Sequence, residues 1–132
     1  MTEYARYALY FTAPGHDLAK VGAAWLGWDI AVGAEVTQGA GVNPAWTATP
    51  RRYGFHGTLK PPFHLAAGKT AGALTQASAA LAGRHTRCGL GTLAVTQIGG
   101  FLALTTQEVS GIAHLAGARV TELDDFRAQP SK

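Results

Sequence analysis

The chain has 132 residues, of which 47% are hydrophobic and 14% charged. This balance predicts one folded domain over residues 1–132 and excludes a disordered chain, which lacks the apolar side chains that a core requires. The net charge of +3 is small and scattered, so we expect no binding to duplex nucleic acid, although a small anionic ligand is compatible with it.

Cysteine usage and hydropathy indicate the compartment. Cys88 is the single cysteine, so the chain forms no intrachain disulfide and no cysteine-based zinc site. No apolar run approaches the roughly 18 residues of a membrane-spanning helix, and the first residues do not resemble a signal peptide. The sequence therefore predicts a cytoplasmic protein with no membrane partner.

The first half of the chain is predicted to contain a strand, a helix and a loop. Aromatic and branched residues predict a strand over 4–12, whose core face carries Tyr7, Leu9 and Phe11. Three- and four-residue spacing then predicts a helix over 17–28 with an apolar stripe of Leu18, Val21, Trp25 and Trp28. Residues 29–50 show little periodicity, which is typical of a long loop.

The second half adds strands and helices in alternation. A strand over 53–60 is expected to end at Pro61-Pro62, because proline cannot donate to a sheet ladder. An alanine-rich helix is predicted over 70–83, and a hairpin of strands 90–97 and 101–106 around Gly99-Gly100. A capping box of Thr105 and Glu108 predicts a last helix ending near Leu123. Together these elements predict an α+β fold with a mainly antiparallel sheet and helices packed on one side.

The predicted strand 53–60 carries the candidate chemistry. Its alternation places Gly54, His56, Thr58 and Lys60 on one face. His56 and Thr58 would lie roughly 6.6–6.8 Å apart along a strand, close enough to contact one phosphate. Histidine exchanges a proton near neutral pH, and a threonine hydroxyl donates to an anionic oxygen. His56 and Thr58 are therefore the candidate catalytic residues.

Three further side chains are candidates for substrate binding. Lys60 would add positive charge on the same face, while Arg6 and Tyr10 lie on the alternate face of the first strand and would grip phosphate or stack a base. His56, Arg6 and Tyr10 also have simpler interpretations. His56 is equally compatible with a partly buried strand histidine satisfied by a neighbouring hydroxyl, and Arg6 and Tyr10 with surface residues. His64 follows His56 by eight residues across two prolines, without an acidic ligand nearby, so we expect no metal and no cofactor.

His56-Gly57-Thr58-Leu59 resembles the His-x-Thr-hydrophobic motif of the two-histidine (LigT-like) phosphoesterase superfamily. With Arg6–Phe11, Arg52–Lys60 and Gly99–Leu104, the resemblance narrows to a branch encoded in phosphonate-utilisation operons and spans nearly the whole chain. It implies two βα lobes related by pseudo-symmetry, each contributing one His-x-Thr to a central cleft. One histidine then acts as base and the other as acid on 2′,3′-cyclic or related phosphodiesters, without metal.

The chain departs from this pattern because it contains only one His-x-Thr. It is therefore expected to correspond to a first lobe, in a shortened form or fragment. The expected function is hydrolysis of a small phosphate ester in phosphonate or nucleotide metabolism, with the second histidine supplied by a missing lobe or by the partner in a homodimer. A noncatalytic phosphate-binding module and a structural fragment are the alternatives.

Overall fold

The computed structural model describes residues 4–130 and confirms the α+β class. In this range the strands are β1 (Tyr7–Phe11), β2 (Trp28–Asp29), β3 (Ala34–Glu35), β4 (Gly57–Phe63), β5 (Leu93–Ile98) and β6 (Phe101–Thr106). The helices are α1 (Asp17–Leu26), α2 (Pro44–Thr47), α3 (Ala71–Arg84) and α4 (Ser110–Glu122), with short 3-10 turns at Pro50–Arg52 and Asp124–Phe126. The strands pair as three two-stranded sheets, β1–β4, β2–β3 and β5–β6.

The chain divides into two compact units. Among the described residues, one comprises Leu9–Thr58, and the other comprises residues 4–8 together with residues 59–130. We call them the first and the second unit. That the whole chain acts as one domain stays a prediction. Within residues 4–130, no helix has the length and apolar character that crossing a membrane requires.

Helix α1 organises the first unit, but through a different face from the predicted one. The His16 imidazole caps its first turn by accepting from the Leu18 amide at 3.1 Å, and Gly27, with φ of 78°, ends it. Its buried residues are Gly22, Ala23 and Leu26. The predicted stripe is wrong, since Val21 and Trp25 are 66% and 42% exposed and Trp28 belongs to β2.

A hydrogen-bond network centred on Arg51 orders the segment that the sequence predicted as a loop. Arg51 Nε donates to the Leu26 carbonyl at 2.8 Å, and Nη2 lies 3.3 Å from both Gln38 Oε1 and Thr47 Oγ1. Gln38 donates in turn to the Trp25 carbonyl and to Thr47. A cation is favourable at a helix C-terminus, where carbonyls lack partners. The network therefore joins the end of α1 to α2.

The second unit has a core of aliphatic and aromatic side chains contributed by β4, α3 and the residue after α4, namely Phe63, Leu74, Leu81 and Leu123. Helix α3 is confirmed, with the Thr70 hydroxyl accepting from the Ala73 amide. Helix α4 is also confirmed, but its predicted capping box is wrong. Thr105 lies in β6, where its hydroxyl is 2.7 Å from that of Thr96.

Strand β4 differs most from its prediction. It begins at Gly57 and continues through Pro61 and Pro62 to Phe63. Proline is tolerated on a strand edge that needs no amide donor, and β1 is the one strand with which β4 pairs among residues 4–130. On the partner strand Phe11, predicted to be core, is exposed.

The close approach of α1 to Phe55 predicts opposite effects for two glycine substitutions. A Cβ at Gly22 would overlap the Phe55 ring, whereas a Cβ at Gly117 in α4 would meet nothing within 4 Å. Gly22→Ala should lower the free energy of unfolding by about 1–3 kcal/mol through overpacking. Gly117→Ala should raise it by about 0.5–1 kcal/mol through helix propensity. Urea denaturation measures both, and an equal effect of the two substitutions would contradict the packing described.

An acid dependence is expected from Asp124. The Arg127 guanidinium, which donates to this carboxylate at 2.8 and 3.0 Å, and nearby Lys60 hold the pKa of Asp124 below its usual 3.8. A lowered folded-state pKa stabilises the protein above about pH 3.8, and this contribution is lost as the pH falls through the folded value.

Asp124→Asn should therefore lower the melting temperature at pH 7, and the difference from wild type should shrink below pH 3.8. Asp125→Asn at the exposed neighbouring position is the control and should change neither. A constant difference across the pH range would show that the ion pair does not carry the effect.

Candidate active site

A single glycine sets the backbone that leads into the candidate site. Gly54 follows the 3-10 turn Pro50–Arg52 and has φ of 75°, a conformation that L residues with a side chain rarely adopt. A Cβ there would also lie 2.8 Å from the Ile30 Cβ. This is why the predicted strand 53–60 starts only at Gly57.

The two residues after Gly54 have different surroundings. The Phe55 ring packs on Gly22 of α1, which anchors the segment. His56 is half-buried and stacks on Tyr10 of β1, with ring centroids 3.7 Å apart and planes at 21°. Two of the predicted site residues, His56 and Tyr10, are thus brought into contact.

The hydrogen bond of His56 determines which ring nitrogen holds the proton. Nδ1 lies 2.8 Å from the Gly54 carbonyl oxygen. A carbonyl can only accept, so Nδ1 carries the hydrogen and donates it. In the neutral imidazole the proton-accepting lone pair is then on Nε2. This arrangement suits proton transfer through Nε2 while Nδ1 and Tyr10 hold the ring in place.

Thr58 is exposed, and the space around Gly57 is open. Thr58 is the second residue of β4, and a Cβ built on Gly57 would meet nothing within 4 Å. The Thr58 side chain is therefore not covered by hydrophobic side chains. An exposed hydroxyl is free to donate to an anionic oxygen of a ligand.

The other two predicted site residues belong to the second unit. Arg6 is exposed. Lys60 is only 3% exposed, and its ammonium donates to the Val120 carbonyl at 3.2 Å and lies 3.7 Å from Asp124. The ammonium of Lys60 therefore already has partners within the protein. Substrate roles for Arg6 and Lys60 stay predictions.

The remaining histidines have other environments. His16 caps α1, and His64 is exposed. His85 and His114, whose ring centroids are 5.7 Å apart, line a cavity of about 530 Å³ between the segments 85–89 and 107–115. This pair could not be predicted from the sequence, because neither spacing nor periodicity links residues so far apart. Within residues 4–130, no three His, Cys, Asp or Glu side chains are grouped closely enough to hold a metal ion.

Comparisons with known proteins identify similar sequences. A family model described as a protein of unknown function, DUF1045, matches residues 58–132, a range that includes Thr58 and begins just after His56. Two curated proteins, both named ribose 1,5-bisphosphate phosphokinase PhnN, are each 38% identical to the chain. The one from Laribacter hongkongensis (strain HLHK9) aligns over 130 residues and the one from Janthinobacterium sp. (strain Marseille) over 135.

These alignments cover 93% of this chain but only 31% and 29% of the relatives, so the chain spans less than a third of their length. No solved structure matches.

The geometry of His56 predicts its tautomer. Heteronuclear NMR of the imidazole nitrogens at alkaline pH should show neutral His56 protonated at Nδ1, because the Gly54 carbonyl accepts that hydrogen. Tyr10→Ala removes the stacked ring and should shift the equilibrium toward the Nε2-protonated form. Tyr10→Phe retains a stacking surface and is the control. A wild-type His56 protonated at Nε2 would contradict the assignment.

Proposed function

The chain belongs to the DUF1045 family of proteins of unknown function, and on this premise we propose that it forms part of a metal-independent phosphodiester hydrolase. His56 transfers the proton and Thr58 binds the phosphate. The observation that carries this proposal is the fixed orientation of a half-buried imidazole, held by Tyr10 and by the Gly54 carbonyl, two residues before an exposed hydroxyl.

Hydrolysis of a cyclic phosphodiester forms one bond from a water oxygen to phosphorus and breaks one bond from phosphorus to a ribose oxygen. The water must lose a proton and the leaving alkoxide must gain one. Neutral His56 offers the Nε2 lone pair and would act as the base, whereas the imidazolium would act as the acid. The Thr58 hydroxyl would donate to a nonbridging oxygen as negative charge grows there.

One histidine performs one of these two transfers. The second proton-transfer group would come from a second copy of the chain or from polypeptide beyond this segment, since the sequence contains a single His-x-Thr. The relatives are named for a phosphorylated ribose, which supports a phosphate ester as the ligand class and a role in phosphonate or nucleotide metabolism.

The phosphokinase activity in the relatives' name is not extended to this chain. Gly68-Lys69-Thr70 provides the last three residues of a phosphate-binding P-loop, but this motif also needs a glycine five residues before Gly68. That position is Phe63, which is buried in the core. The Lys69 ammonium lies 4.9 Å from the centre of the Phe126 ring. This loop therefore lacks the glycine that allows a backbone to wrap phosphate.

The proposal predicts how 2′,3′-cyclic nucleotide turnover responds to substitution. His56→Ala should lower kcat by about 100-fold or more, the usual contribution of a general acid or base. Thr58→Ala should lower kcat/KM by about tenfold, because one donor to the phosphate is lost. His64→Ala is the matched control, since this imidazole is exposed, and should leave turnover unchanged.

Turnover that survives His56→Ala would overturn the catalytic role. Phosphate binding by the wild type that Thr58→Ala abolishes, without any turnover, would instead identify a binding module. Calorimetric titration with inorganic phosphate separates these outcomes.

A further inference from the structure

A cavity lies within the second unit, at the start of α4. It has a volume of about 530 Å³ and is bounded by the segments 85–89 and 107–115. Small-molecule sites in proteins typically occupy roughly 300–1,000 Å³. Gly111 allows these segments to approach, because a Cβ there would lie 2.8 Å from the Cys88 Cβ. The chain after α3 can therefore lie against the first turn of α4 beside a cavity of ligand size.

Basic side chains line this cavity from both segments. His85 and Arg87 come from the chain after α3, and His114 comes from α4. The imidazoles of His85 and His114 have ring centroids 5.7 Å apart and planes inclined at 59°. Within residues 4–130, none of these three side chains forms a hydrogen bond or an ion pair with another protein group. Their donors are therefore available to a ligand.

The backbone at the start of α4 adds donors to the same wall. The first amides of a helix have no carbonyl partner inside the helix, and the helix dipole favours an anion there. Val109 at the N-cap makes no side-chain capping bond, and both Val109 and Ser110 line the cavity. These amides and the Ser110 hydroxyl strengthen a site that the imidazoles and Arg87 define.

The charge of the lining favours an anion. Glu108 is the acidic residue among those that line the cavity. Its Oε1 lies 2.6 Å from the position of a Cβ built on Gly91, which is not among the lining residues. The carboxylate is thus placed against Gly91. One guanidinium and two imidazoles accompany this one carboxylate, so a protonated imidazole makes the lining net positive.

We infer that this cavity binds the phosphate group of a small molecule. A guanidinium and the start of a helix both recognise phosphate oxygens. The donors come from the chain after α3, from the first turn of α4 and from His114 one turn further on. A tetrahedral phosphate has enough oxygens to accept from all three places, whereas a carboxylate has only two. The remaining volume holds the rest of the phosphorylated molecule.

This site lies wholly within the second unit and does not depend on the chemistry of His56 in the first. Either site can therefore fail its test without affecting the other.

The test is an NMR titration of the wild-type chain with inorganic phosphate at constant ionic strength. The imidazole signals of His85 and His114 and the amide signals of Ser110 and Gly111 should shift together and saturate. A dissociation constant of about 1 mM or below is the order of magnitude expected for a small anion. Because these signals report on the cavity itself, phosphate binding in the first unit cannot be mistaken for it.

Two glutamine variants test the lining. Arg87→Gln and His114→Gln should each raise the dissociation constant about tenfold, because each removes a charge-assisted hydrogen bond. Both positions are exposed, so the core is retained. Arg84→Gln is the matched control. It removes the same charge as Arg87→Gln, but the Arg84 guanidinium pairs with Glu122 and does not line the cavity, so the dissociation constant should stay unchanged.

Far-UV circular dichroism establishes that the variants are folded. An absence of saturable shifts at the four reporting residues up to about 50 mM phosphate would overturn the inference. Equal weakening by Arg84→Gln and Arg87→Gln would also overturn it, because binding would then follow net charge and not the cavity lining. Acetate that binds as tightly as phosphate would contradict the choice of phosphate, and saturation unaffected by both lining variants would place the anion elsewhere.

Discussion

The candidate site depends on the backbone conformation of Gly54. Its positive φ turns the chain out of the Pro50–Arg52 turn, so that Phe55 packs on α1 and His56 meets Tyr10. The same residue supplies the carbonyl that fixes the His56 proton on Nδ1. One glycine thus sets the position, orientation and tautomer of the imidazole. The imidazole is thus oriented for proton transfer without the help of a charged neighbour.

Local patterns in the sequence predicted local structure well. The predictions of helix α3 and of the β5–β6 hairpin are confirmed, because helical periodicity and a two-glycine turn act over a few residues. The predictions were wrong where contacts between residues far apart in the sequence determine the structure. The buried face of α1 is set by Phe55, more than thirty positions away, and Arg51 orders a segment with no periodicity of its own. The strand predicted to contain His56 begins only at Gly57, because alternation alone does not reveal a left-handed glycine.

Part of the candidate site was predictable from the sequence, because two of its residues are close together in the chain. His56 and Thr58 are two residues apart in the sequence, so their presence together on one short segment follows from the sequence alone. The contact with Tyr10 required two strands to pair, and the sequence indicated only that Tyr10 lay on an available face. Lys60 shows that alternation along a strand does not predict what a side chain contacts. It lies in β4 at the expected alternate position, but its ammonium contacts the Val120 carbonyl and the Asp124 carboxylate.

The stack between Tyr10 and His56 also restricts the direction from which a ligand can approach. At 3.7 Å between centroids, one side of the imidazole is covered by a phenol ring and closed to water and to substrate. Since Nδ1 is occupied by Gly54, only the Nε2 edge remains for proton exchange. A phosphate ester would have to meet the ring edge-on, in the plane of the imidazole. The Tyr10 face already in contact with His56 is unavailable to a nucleobase, so recognition of a base would require another surface.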